Sequence, residues 1–384
     1  MPSPEPLRLC TMVNRRLLLA FTCSFGGTAS FYLLLSVVPL YATTVGAGDV
    51  GAGLTTAVLM LATVAAELAT PWLIAVLGYR TAFALGLILL GGPALALVWS
   101  SSMAVILLVC FIRGIGFAIV AVLGSAIVAL LVPPERRGEG LGLFGLVVGI
   151  PSVIVLPLGV WLATHTGFGA VFVAGMVLAV AGLPAVHSLP GRTPAGDEGF
   201  GLRNPALIRP AAVFAATTTA TGVVVTFLPV ATGAMAPLAL LAQAATGTLM
   251  RWWGGRLSDR HGPARLVVPA ILVSAAGMIG LLFLPSPVAM LVFGLGFGTA
   301  QSATLNLMFS RVPESGYGTA SALWNLAYDT GVGLGAAGFG LVAAQTGYPT
   351  AFGLTGVLVL AALLPALLDA RVSKTALRSQ GVSE

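Results

Sequence analysis

Residues 188–209 read SLPGRTPAGDEGFGLRNPALIR, the longest polar stretch in a chain that is 58% hydrophobic and only 8% charged. Proline, glycine and mixed charge without any apolar periodicity describe a flexible linker. On both sides the sequence returns to long apolar runs. At an offset of 180 residues those flanks align without gaps: Gly114, Gly116 and Phe117 with Gly294, Gly296 and Phe297; Val132, Pro133 and Gly138 with Val312, Pro313 and Gly318; Thr166, Gly167 and Phe172 with Thr346, Gly347 and Phe352. Chance similarity among apolar residues does not keep loop punctuation in step over such a distance. The chain therefore reads as two repeats, residues 1–189 and 210–384, joined by a linker at 190–209.

A mean hydropathy of +1.02 leaves too little polar surface to cover a soluble globule of this size. A membrane span needs about 20 mostly apolar residues. Twelve such stretches lie near 17–41, 50–76, 81–98, 103–131, 139–162, 170–189, 210–232, 236–253, 265–284, 288–310, 319–343 and 350–369. The expected fold is an all-α integral membrane protein of twelve transmembrane helices in two pseudo-symmetric six-helix bundles. Threaded through a bilayer in that order, every Lys and Arg of the 18 except Arg113 falls on one side. Basic loops resist translocation, which puts both termini in the cytoplasm of a cell (inner) membrane protein. The pI near 9.7 then reflects topology and contact with anionic lipid, not nucleic acid. The first apolar stretch reads as a retained span, because no small-residue cleavage site follows it. Cys10, Cys23 and Cys110 offer neither a disulfide framework nor metal-ligand spacing.

After the eighth span comes Gly255-Arg256-Leu257-Ser258-Asp259-Arg260-His261-Gly262. Glycines permit a tight turn and close helix approach, and Asp259 can pair with basic groups or a helix N-terminus. The run matches G-x-L-x-D-R-x-G and so resembles the cytoplasmic signature of the major facilitator superfamily. That resemblance extends over nearly the whole chain. It implies a gating role for Gly255, Leu257, Asp259, Arg260 and Gly262, two halves rocking about a midplane site, and a monomer. The equivalent loop of the first half keeps Leu73 and Gly78 but has Ala75 and Val76 where the acid and base belong. Any charge latch is expected to rest mainly on the second half.

Three ionisable residues lie inside spans: Glu67, Arg113 and Asp329. Such residues are costly in hydrocarbon and mark ion or proton pathways when they face a bundle interior. Arg113-Gly114-Ile115-Gly116 resembles the family's R-x-x-G motif linked to proton coupling, although a structural bond to freed carbonyls explains a buried Arg as well. Pro71 cannot donate an amide proton to the carbonyl of Glu67, which weakens that helix turn. By the family's architecture, Glu67 and Asp329 lie where the halves meet, and an acid alternating between wet and dry surroundings can take up and release a proton. All three are proton-coupling candidates.

Glycine pairs Gly145/Gly149 and Gly331/Gly335 have the spacing of close helix packing. The first lies in a run resembling, in degenerate form, the antiporter signature of drug exporters. Candidate cavity groups are Tyr32, Gln243, Asn306, Trp324 and Asn325, with Gln301 and Thr217 to Thr219 behind them. Each could equally be an interhelical hydrogen bond. No dense polar cluster of the kind a sugar or amino acid requires is present, which suits an amphipathic solute. No G-x-x-x-x-G-K-[ST] loop occurs, so ATP does not drive this chain alone. His165, His187 and His261 are scattered, which disfavours a lipid-acting membrane enzyme. The reading is a secondary transporter that exports small amphipathic molecules on a proton gradient, with no cofactor. An uptake permease for a small nutrient is the runner-up.

Overall fold

The computed structural model describes residues 15–132, 137–189, 191, 205–313 and 317–369. The described helices, in order, are α1 (Arg15–Leu35), α2 (Val37–Thr44), α3 (Gly48–Gly91), a 3-10 turn (Gly92–Leu95), α4 (Ala96–Trp99), α5 (Met103–Leu131), α6 (Arg137–Thr166), α7 (Phe168–Val180) and α8 (Leu183–Val186). There follow α9 (Pro205–Thr232), a second 3-10 turn (Gly233–Met235), α10 (Ala236–His261), α11 (Ala264–Gly280), α12 (Ser286–Phe309), α13 (Tyr317–Thr346) and α14 (Tyr348–Ala361). No strand occurs among the described residues. This is what lipid demands, because a helix satisfies its own backbone groups where no water can.

Ten runs are long and apolar enough to cross a membrane. One of them, Ala206–His261, has 56 residues. At 1.5 Å per residue it would be ~84 Å long if straight, far beyond the ~30 Å hydrocarbon layer. It contains α9 and α10, separated by the 3-10 turn, where Gly233 takes a positive φ of 52°. At 17 residues, α11 is the short apolar helix outside the ten. Two boundaries differ from expectation. Helix α9 begins at Pro205, inside the expected linker, whose residues 192–204 lie outside the described part. Helix α10 runs on to His261 because nothing in 254–261 breaks a helix before Gly262 does.

The repeat is visible in geometry. Gly167 and Gly347 precede α7 and α14 with φ/ψ of 87°/157° and 77°/164°. The rings of Phe168 and Phe172 are 6.4 Å apart, as are those of Tyr348 and Phe352. On α5, a methyl added to Gly114 would lie 2.2 Å from the Leu59 carbonyl oxygen, and one on Gly116 would lie 2.4 Å from the Leu90 nitrogen, so both arms of α3 touch α5 backbone to backbone. On α12, the equivalent glycines press against the next pair of helices: Gly294 would meet Gln243 of α10 at 2.5 Å and Gly296 would meet Ser274 of α11 at 2.3 Å. The expected Gly331/Gly335 contact is made, against Ala215 and Thr219 of α9. The expected Gly145/Gly149 contact is not, since both positions face open space.

One end of the bundle carries two matched turns. Gly78 kinks α3 with φ 75° and Gly262 ends α10 with φ 82°, values that L side chains rarely adopt. Beside them, Arg80 donates to the Leu189 carbonyl at 2.9 Å, and Arg311 pairs with Asp369 and donates to the Ala206 carbonyl at 2.8 Å. At the opposite end the two repeats touch directly. Thr56 and Thr226 share a 2.8 Å hydrogen bond, Tyr348 donates to Asp49, and a methyl on Gly53 would lie 2.4 Å from the Ala336 carbonyl.

Candidate functional site

Helices α3 and α13 run antiparallel, one from each repeat. Their contacts progress from Asp49 opposite Gly340, through Gly53 opposite Ala336 and Met60 opposite Gly333, to Glu67 opposite Asp329. There the two carboxyl groups lie within electrostatic reach of each other. Two negative charges this near each other in a low-dielectric core repel. Asp329 is 5% exposed and Glu67 half-buried. Two acids distant in sequence thus meet on a seam between the repeats.

Tyr328, next to Asp329, belongs to an aromatic cluster in which Phe214, Phe297 and Trp324 are buried. Trp324 stacks on Phe214 with centroids 4.4 Å apart, and Tyr328 approaches Phe214 at 6.0 Å and Phe297 at 6.4 Å. Trp324 and Tyr328 are four residues apart and so share one face of α13. Trp324 is anchored by donation of its indole N–H to Thr304 at 3.1 Å. Tyr32 enters from α1, in electrostatic reach of both Asp329 and Arg251.

Arg251 belongs to this group, and sequence reasoning assigned it to a basic connection. It lies on α10, eleven residues before the Gly262 turn, hence ~16 Å deeper along the axis. Its guanidinium carbon is 5.6 Å from the centre of the Trp324 ring and faces Tyr32 and Tyr328. The available signal was that spacing: no helix breaker separates Arg251 from the apolar run before it. Tyr328 and Phe214 were also passed over, although Tyr328 adjoins Asp329.

Other candidates stand apart. Arg113, 2% exposed, donates to the Leu90 carbonyl at 2.5 Å and the Ser30 carbonyl at 3.1 Å, tying α5 to α3 and α1. Leu90 precedes the 3-10 turn with Pro93, where helical carbonyls lose their usual donors. The structure therefore does not bring Arg113 to the two acids. Gln243 is buried where α10 meets Gly294, Asn306 is half-buried on α12, and Asn325 is exposed on α13; none makes a side-chain hydrogen bond among the described residues. Gln301 is half-buried on α12, and Thr217, Thr218 and Thr219 return their hydroxyls to carbonyls of their own helix.

Gly255, Leu257, Asp259 and Arg260 form the last turns of α10, with Gly262 as its positive-φ stop. Among the described residues Asp259 makes no ion pair. A cleft of about 250 Å³ lies at this end, lined by Trp252, Trp253, Arg256, Leu257 and Arg260, with Arg256 3.8 Å above the Trp252 ring. Its mixed aromatic and basic lining is that of a membrane interface, and it is separate from the carboxyl pair.

The sequence model of the Major Facilitator Superfamily matches residues 20–336. Among solved structures, the chain is similar to a POT family transporter in complex with 5-aminolevulinic acid, at 14% identity and a TM-score of 0.78 over 93% of this chain and 96% of that one. It is also similar to the nucleoside transporter NupG (15% identity, TM-score 0.71, 92% and 99% covered). The inward-open xylose transporter XylE from E. coli matches at 15% identity and a TM-score of 0.74, with 91% and 94% covered. At these identities the likeness is one of fold.

Proposed function

The chain belongs to the major facilitator superfamily and is a membrane transporter, not an enzyme, and from that premise we propose that it exports small amphipathic molecules in exchange for protons. The observation that carries this reading is the juxtaposition of the two acids Glu67 and Asp329 on the α3/α13 seam. When residues 1–189 rock against 210–384, that seam changes, and a pair parted by the motion cannot keep the same proton affinity. Solute and proton are thereby linked without nucleotide or cofactor. The aromatic cluster of Phe214, Phe297, Trp324 and Tyr328 beside the acids supports an amphipathic solute over a sugar, which needs several convergent polar groups. The protein acts as a monomer in the cell membrane with both termini in the cytoplasm. There the gating motif Gly255, Leu257, Asp259, Arg260 and Gly262 meets the opposing half, and the neighbouring Trp/Arg cleft holds lipid head groups.

The test is dye efflux from cells producing wild type, Glu67→Gln or Asp329→Asn, with and without a proton uncoupler. Uncoupler-sensitive efflux that either substitution abolishes, at unchanged membrane levels, supports the reading. Energised accumulation in place of efflux would move the uptake alternative ahead.

A further inference from the structure

We propose that Arg251 is an anion-binding residue of the substrate site, and that the exported class is an amphipathic anion: a carboxylate or similar group on a flat apolar body. This rests on the reading of the chain as a transporter with its site between the repeats. Three features of the molecule converge on it. Among the described residues the Arg251 guanidinium forms neither an ion pair nor a hydrogen bond, although it has five N–H donors to satisfy. Its side chain is exposed on α10 and lies within electrostatic reach of Tyr32 of α1 and Tyr328 of α13. What surrounds it is aromatic: the Trp324 ring at 5.6 Å, with Phe214 stacked behind at 4.4 Å, and the Tyr32 and Tyr328 rings alongside.

A cation with no counter-charge is costly away from bulk water. Among the described residues neither Glu67 nor Asp329 forms an ion pair with it. The contrast with Arg113 and Arg311 is instructive, because each of those has its donors placed on carbonyls or a carboxylate. Arg251 lacks what an anionic ligand supplies, namely acceptors for a planar donor fork. The half-buried rings of Tyr32 and Tyr328 are placed to meet the flat body of the same ligand, with Trp324 and Phe214 packed behind them. Tyr32 and Tyr328 lie within electrostatic reach of both Arg251 and Asp329.

The experiment uses full-length protein in nanodiscs of zwitterionic lipid, titrated with three probes of one shape: 1-naphthoate, neutral 1-naphthamide and cationic 1-naphthylmethylammonium. Thermal stabilisation reports binding to the folded state. Wild type should prefer naphthoate. Arg251→Met, which keeps the apolar stem, should lose about tenfold or more of naphthoate affinity while binding the amide as before. Arg251→Lys should retain part of the preference. The melting temperature without ligand should stay level or rise in Arg251→Met, because an unpaired cation has gone; a purely structural Arg would lower it. Glu67→Gln should still bind naphthoate, which separates this proposal from proton coupling. Equal binding of the three probes to wild type, a preference for the ammonium, or undiminished naphthoate binding by Arg251→Met would overturn it.

Discussion

In the described membrane core, Glu67 and Asp329 are two acids that meet across helices of different repeats. Arg113 sits equally deep but spends its donors on backbone carbonyls of its own repeat. The two kinds of residue should respond differently to substitution. Arg113→Ala leaves two buried carbonyls unsatisfied and is expected to cost about 3 kcal/mol in the thermal stability of purified protein. Glu67→Gln and Asp329→Asn should melt close to wild type while losing proton-driven transport. If Arg113→Ala melted normally and instead altered the pH dependence of transport, Arg113 would belong to the proton path. The acids were legible because any charge in an apolar run is conspicuous. Arg251 was not: it shares its neighbourhood with Arg256 and Arg260, and the rule that basic residues stay inside absorbed all of them alike. Only the uninterrupted helix places it a half-span deeper.

At the scale of elements, spacing alone does not say which face of a helix a glycine occupies. Gly145/Gly149 and Gly331/Gly335 have the same sequence signature, yet the first pair faces open space and the second touches α9 backbone. Gly145→Ala and Gly149→Ala should therefore be neutral or stabilise by up to about 1 kcal/mol through helix propensity. Gly116→Ala and Gly294→Ala drive a methyl into backbone and should destabilise by about 1–3 kcal/mol. Melting curves of the four variants test the packing directly; similar curves for both sets would refute it. The end of α10 teaches the same lesson. A charged sequence with glycines reads as a loop, but six consecutive helix-compatible residues carry the helix to Gly262, where positive φ stops it.

For the whole molecule, the offset of 180 residues anticipated more of the architecture than any motif, because it is repeated in turn conformation, ring spacing and glycine contacts. What no one-dimensional pattern contains is the meeting of the halves. The bond from Tyr348 to Asp49, together with Thr56 to Thr226, clamps the repeats at the end opposite Gly78 and Gly262. Tyr348→Phe removes about 1 kcal/mol from that clamp and should shift the balance toward a state open there about fivefold. Spin labels at Thr44 and Thr346 would report this as a larger long-distance population, and an unchanged distribution would show the clamp to be idle. Proton exchange through the seam is tested most directly with purified protein in proteoliposomes carrying an imposed pH gradient and a fluorescent dye established as a substrate. Wild type should move the dye against its own gradient, whereas Glu67→Gln and Asp329→Asn should only exchange dye across the membrane without accumulating it. Gradient-driven accumulation that survives both substitutions would contradict proton coupling through this pair.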